Sequence, residues 1–120
     1  ILPILSIHII IKMQINLYRD NEGYPHAECS SSLEILSWYL EEDIQSSVTS
    51  CNELIEIINN IQNGKESFWE GTGNAHTLTL TSNSATIVNE FMDNISPCEI
   101  PLDELKEVIV KWLNFIQKID

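Results

Sequence analysis

The segment His76-Thr77-Leu78-Thr79-Leu80-Thr81 alternates polar and apolar residues at every step. Successive side chains of a strand point to opposite faces, so this alternation demands an extended segment with one wet and one buried face. Ser82-Asn83-Ser84 suits a tight hairpin turn, and Ala85-Thr86-Ile87-Val88 continues as the next strand. Upstream, Ser67-Phe68-Trp69-Glu70 reads as a strand, with Gly71-Thr72-Gly73-Asn74 as the turn between the two. Nearer the N-terminus, Gln14-Ile15-Asn16-Leu17-Tyr18-Arg19 alternates in the same way. Asp20-Asn21-Glu22-Gly23 supplies turn chemistry with a glycine for positive φ, and Tyr24 to Cys29 returns as the second strand of a hairpin.

Between these β segments the hydrophobic period changes to that of a helix. Ser31-Ser32-Leu33-Glu34 has the spacing of a capping box, and Leu33, Leu36, Leu40 and Ile44 give residues 32–45 one apolar face. A second capping-box spacing, Ser50-Cys51-Asn52-Glu53, precedes the stripe Leu54, Ile57, Ile58 and Ile61, and Asn63-Gly64 ends that helix. A third helix opens with Pro101 in its first turn. Asp103 and Glu104 lie near its positive end, and Lys106, Lys111 and Lys118 lie further toward its negative end. Glu107 and Lys111 add an i,i+4 pair, and Leu102, Leu105, Ile109, Trp112, Ile116 and Ile119 form its apolar face.

The order β-β-α-α-β-β-β-α implies an α+β fold: an antiparallel sheet of about five strands packed against two to three helices. A chain of 120 residues supports one core, so residues 13–120 are read as a single domain. Residues 1–12 (ILPILSIHIIIK) have a different texture and are read as an extension upstream of that domain, or else as an edge strand from Ser6 to Lys12. Their apolar run is shorter than the roughly 20 residues a membrane helix needs, and it lacks the basic start and small-residue cleavage site of a signal peptide.

Chemistry-bearing motifs are sparse. Gly71-Thr72-Gly73 is not a phosphate cradle, because position 76 of a GxGxxG pattern is His76 and no helix follows. Cys29, Cys51 and Cys98 form no CxxC pair, and His8, His26 and His76 fall at no metal-ligand spacing. The cysteines are read as reduced thiols of a cytoplasmic protein, with one bridge plus a free thiol as the alternative. His76 with a nearby carboxylate is a weak candidate general base, and no substrate class is suggested for it. No catalytic residue, cofactor or metal is expected.

The charge says more. Eighteen Asp and Glu oppose six Lys and Arg, for a net charge of −12. Such a surface repels phosphate backbones, which excludes direct nucleic-acid binding and favours a basic partner. The field is also lopsided. From Asp20 to Gly64 the chain carries Asp20, Glu22, Glu28, Glu34, Glu41, Glu42, Asp43, Glu53 and Glu56 with no Lys or Arg. Glu41, Glu42 and Asp43 sit where a helix dipole disfavours negative charge, either as a solvated acidic turn or as a docking surface. Trp38 and Tyr39 directly precede them as candidate aromatic anchors, although two adjacent helical residues point in different directions and at least one belongs to the core. The expected contact residues are Asp20, Glu22, Glu28, Trp38, Tyr39, Glu41, Glu42 and Asp43.

Met13-Gln14-Ile15-Asn16-Leu17-Tyr18-Arg19-Asp20, Trp38-Tyr39-Leu40-Glu41-Glu42-Asp43-Ile44, Ser67-Phe68-Trp69 with His76-Thr77-Leu78, and the final amphipathic helix together resemble the YacL-like family, over about Met13 to Lys118. These are small acidic bacterial proteins, some of which serve as immunity proteins in contact-dependent growth inhibition. The resemblance transfers no catalytic residue. It implies a cytoplasmic immunity protein that blocks a cognate toxin domain, a basic nuclease being the expected class, with no membrane or direct nucleic-acid role. The alternative is a housekeeping member of the family with another basic partner, for instance one in translation.

Overall fold

A computed structural model describes residues 14–118, so the expectation of an extension or edge strand over residues 1–12 lies outside the described residues. The first hairpin pairs β1 (Asn16–Arg19) with β2 (Pro25–Glu28), antiparallel, with Tyr18 opposite His26. Its turn is built by Asp20, whose Oδ1 accepts from the backbone N–H of Glu22 at 2.9 Å and of Tyr24 at 3.0 Å. Gly23 sits there at φ 89°, a conformation an L side chain resists.

Residues 31–44 depart from the single helix expected over 32–45. Ser31–Leu33 form a 3-10 turn, α1 covers only Glu34–Tyr39, and Leu40–Ile44 widen into a π-helical turn in which the Gln45 N–H donates to Leu40 O at 2.8 Å. The capping box at Ser31 does not form, since Leu33 occupies the N-cap position without a side-chain bond. The apolar face is nevertheless as expected: Leu36, Leu40 and Ile44 are buried. Helix α2 (Val48–Gln62) starts earlier than its sequence suggested. Ser47, rather than Ser50, is the cap, its hydroxyl accepting from the Ser50 N–H at 3.1 Å.

The second sheet has the order β3 (Phe68–Thr72), β4 (His76–Thr81), β5 (Ser84–Asn89), β6 (Cys98–Pro101), each pair antiparallel. Thus the described residues hold six strands in two sheets, where one sheet of about five was expected. Strand β6 carries little sequence signal because it is four residues long and ends in Pro101, a residue suited to the start of the final helix. Gly71 and Thr72, assigned to a turn from sequence, extend β3 instead.

Helix α3 (Leu102–Gln117) follows β6 directly. One face of the larger sheet carries Leu78, Leu80, Ala85, Ile87, Cys98 and Ile100 into the core, where Cys51, Leu54 and Ile58 of α2 and Leu105, Val108, Ile109 and Trp112 of α3 meet them. The other face is a lattice of hydroxyls, Thr72 to Thr77 and Thr79 to Glu70 among them. Expected α3 residues Leu102, Leu105, Ile109 and Trp112 are buried, Ile116 is half-buried, and Ile119 lies outside the described residues. Arg19 joins the small hairpin to α3, its guanidinium 5.2 Å from the centre of the Phe115 ring and donating to the carbonyls of Phe115, Ile116 and Lys118 at that helix's negative end. The three cysteines are free, and burial pushes the thiols of Cys29 and Cys51 up to about 11. No helix among the described residues is long and apolar enough to cross a membrane.

Candidate interaction site beside an acidic helical turn

Three consecutive carboxylates at the end of a helix meet the unfavourable end of its dipole. Two of the three are relieved by histidines, and the histidines belong to different sheets. Asp43 turns inward, its side chain only 3% exposed. Its Oδ1 accepts from Nδ1 of His76 at 2.9 Å, and its Oδ2 accepts from the backbone N–H of His76 at 3.0 Å and of Ala75 at 3.2 Å.

His76 is fully buried, with Tyr39 edge-on at 6.1 Å. Its remaining nitrogen, Nε2, faces Asn89 Nδ2 at 3.3 Å. The Asn89 oxygen already accepts from the N–H groups of Phe91 and Met92, so its amide NH2 must be the group that donates to Nε2. Nδ1–H therefore donates to Asp43 while Nε2 accepts from Asn89. Burial likewise pushes the Tyr39 hydroxyl far above its ordinary value.

Glu41 turns the opposite way, as residues two apart on a helix do. Its Oε1 lies 3.0 Å from His26 Nδ1, and its Oε2 accepts from the Ala27 N–H at 2.9 Å. His26 Nε2 lies 2.7 Å from Asp20 Oδ2. With a carboxylate on each ring nitrogen, both nitrogens donate and the imidazolium form is favoured. The hydrogen bond that His26 donates to Asp20, and then the one it donates to Glu41, raises the His26 pKa, while accepting that bond lowers the pKa of Asp20. Tyr18 stacks on the ring at 5.2 Å. The acidic turn thus ties the two-stranded sheet through Glu41 and the four-stranded sheet through Asp43.

These contacts correct the expected surface. Tyr39 and Asp43 belong to the interior, and Glu41 is only partly accessible because its oxygens are engaged. Asp20 and Glu22 remain at the hairpin tip, and Glu42 is exposed while its carbonyl accepts from Gln45 and Asn74. Glu28, Trp38 and Glu41 come together in one cleft of about 390 Å³, lined also by Ala27, Cys29, Ser31, Glu34 and Ser37. Glu34 is not among the contact residues expected from sequence, where it reads as a capping-box residue. The signal existed: Glu34, Trp38 and Glu41 stand at i, i+4 and i+7, one face of one helix. Half-buried Trp38 beside the exposed carboxylates of Glu28 and Glu34 makes a slot for the stem and charged head of a lysine or arginine side chain.

Ligand atoms of Glu42, Asp43 and His76 lie within 4.8 Å of one another, a spacing a cation could use. The residues fit one poorly. Asp43 already accepts three bonds, and the His76 nitrogen nearest it carries the proton of one of them.

A model of the uncharacterised protein family UPF0231 matches residues 13–108. The chain belongs to this family. A UPF0231 protein of Shewanella oneidensis is 26% identical over 107 residues, covering 77% of this chain and 86% of the relative. One from Shewanella sp. strain ANA-3 is 27% identical over the same length and coverage. The YacL-like resemblance is consistent with membership of UPF0231. No solved structure matches the chain.

Proposed function

We propose that this UPF0231 chain is a non-catalytic cytoplasmic binding protein that blocks a basic toxin domain, in the manner of a contact-dependent growth inhibition immunity protein. The observation that carries the reading is the cleft that Glu28, Glu34, Trp38 and Glu41 line together. A cationic side chain entering it gains a ring face and two carboxylates, while the net charge of −12 draws in a basic surface from a distance. A nuclease cleft, positively charged because it binds phosphate, has the complementary sign. The two histidines support a binding rather than a catalytic role, because every ring nitrogen is engaged in an internal hydrogen bond.

An antidote of this kind should be encoded beside a large secreted toxin, and the lack of any such neighbour would itself count against the reading. The test mixes the basic C-terminal domain of such a neighbouring toxin with the wild type and with a Glu28→Lys/Glu34→Lys double variant. Both residues are exposed and, among the described residues, neither carboxylate holds a hydrogen bond to another element, so the circular dichroism spectrum of the variant should match that of the wild type. Association with the wild type should be fast at low salt and slow as salt rises, and the variant should associate about tenfold or more slowly and protect poorly. An unchanged on-rate and affinity in the variant would refute this reading.

A further inference from the structure

Among the described residues the most exposed large apolar side chain is Phe91, at 76%, and its neighbour Met92 is 45% exposed. Both stand in the connection between β5 and β6, and neither is needed by the core. Exposed aromatic and methionine side chains side by side are a costly arrangement that interfaces favour. The backbone beneath them is held firmly. Asn89 Oδ1 accepts from the N–H of Phe91 at 2.9 Å and of Met92 at 3.1 Å, and its amide is anchored on the buried ring of His76. His76 is in turn fixed by Asp43. The Glu90 N–H donates to Ala75 O at 2.9 Å, and its carboxylate accepts from the Thr77 hydroxyl at 2.6 Å. A relay of hydrogen bonds therefore runs from the acidic turn to a two-residue apolar tip, so little ordering entropy remains to be lost on docking.

The charge beside the tip defines its complement. Glu90 and Asp93 flank Phe91 and Met92 directly, and the chain has no Lys or Arg between Lys65 and Lys106. We infer that Phe91 and Met92 form a preorganised anchor that enters an apolar socket rimmed by Lys or Arg on a basic protein partner. The inference rests on the proposed function only in taking the partner to be basic, and it locates a contact on a different element from the cleft.

The experiment places a photo-crosslinking phenylalanine derivative at position 91 of the full chain in cells of the source organism, with position 68 as control. Phe68 is another exposed phenylalanine, at the edge of the same sheet. A basic protein should crosslink from position 91 and not from 68. Its affinity, measured with purified components, should fall about tenfold or more for Phe91→Ala, and by a lesser factor for Met92→Ala, with Phe68→Ala unchanged. The inference is overturned if position 91 crosslinks nothing beyond the control, crosslinks a second copy of this chain or an acidic protein, or if Phe91→Ala leaves the affinity unchanged. If Glu28→Lys/Glu34→Lys weakens the same complex while Phe91→Ala does not, the anchor fails and the cleft stands; the reverse result spares the anchor and removes the cleft.

Discussion

Replacing Asp43 by Ala removes an acceptor that serves three donors: the N–H of Ala75, the N–H of His76 and Nδ1–H of His76. His76 is buried without any exposed surface, so water cannot replace the lost partner of its ring. Leaving a buried donor unsatisfied costs about 1–3 kcal/mol, and at least two of the three donors are placed in that position. Two such donors set the expected loss at about 2–6 kcal/mol, against roughly 5–15 kcal/mol for a whole domain. For a domain of this size that corresponds to a fall in Tm of about 8–24 °C, taking ~4 °C per kcal/mol. Urea unfolding followed by circular dichroism gives the free energy directly, with Glu42→Ala as the neighbouring control. Glu42 is exposed and its structural contacts run through its carbonyl, so its removal should stay within about 0.5 kcal/mol. A loss below about 1 kcal/mol for Asp43→Ala would refute the view that this carboxylate joins the acidic turn to the large sheet.

The second histidine makes stability depend on pH from both sides. The His26 pKa is raised on folding, so its contribution is complete below the unfolded value of about 6.5 and is lost as pH rises through the folded value. That of Asp20 is lowered, so its contribution is present above about 3.9 and is lost as pH falls through the folded value. The urea midpoint should therefore be highest in mild acid and decline on the alkaline side, and His26→Gln should flatten that alkaline decline; an identical slope in the variant would show that His26 does not titrate in this cluster. Gly73→Ala should destabilise the fold by about 1–3 kcal/mol, because the added Cβ would lie 2.5 Å from Asp43 Oδ2, which hydrogen bonding holds in place. Thermal melting at or above the wild-type temperature would contradict that crowding.

Much of the local structure is legible in the sequence. The alternation at 77–81, the apolar face of α3 and the glycine in the first turn follow from side-chain direction and backbone sterics within a few residues. Structure departs from local pattern where neighbours in space outweigh neighbours in sequence. Ser31 and Glu34 have capping-box spacing, yet the chain enters α1 through a 3-10 turn. Cys98–Pro101 has little strand signal of its own and becomes β6 because β5 offers it a ladder, with Ile87 opposite Cys98. Of the candidate contact residues, Glu28, Trp38 and Glu41 share a cleft, whereas Tyr39 and Asp43 are drawn inside.

Sequence alone determined which faces are apolar, where helices and turns fall to within a few residues, and that the molecule carries a strong negative field, since each depends on composition or short-range periodicity. The tertiary structure decided which carboxylates remain available to a partner. Asp43 meets His76 across 33 positions and Glu41 meets His26 across 15. Pairings at such separations are set by how sheets and helices pack, because a buried charge persists only where packing delivers donors to it. Local pattern carries no record of that delivery.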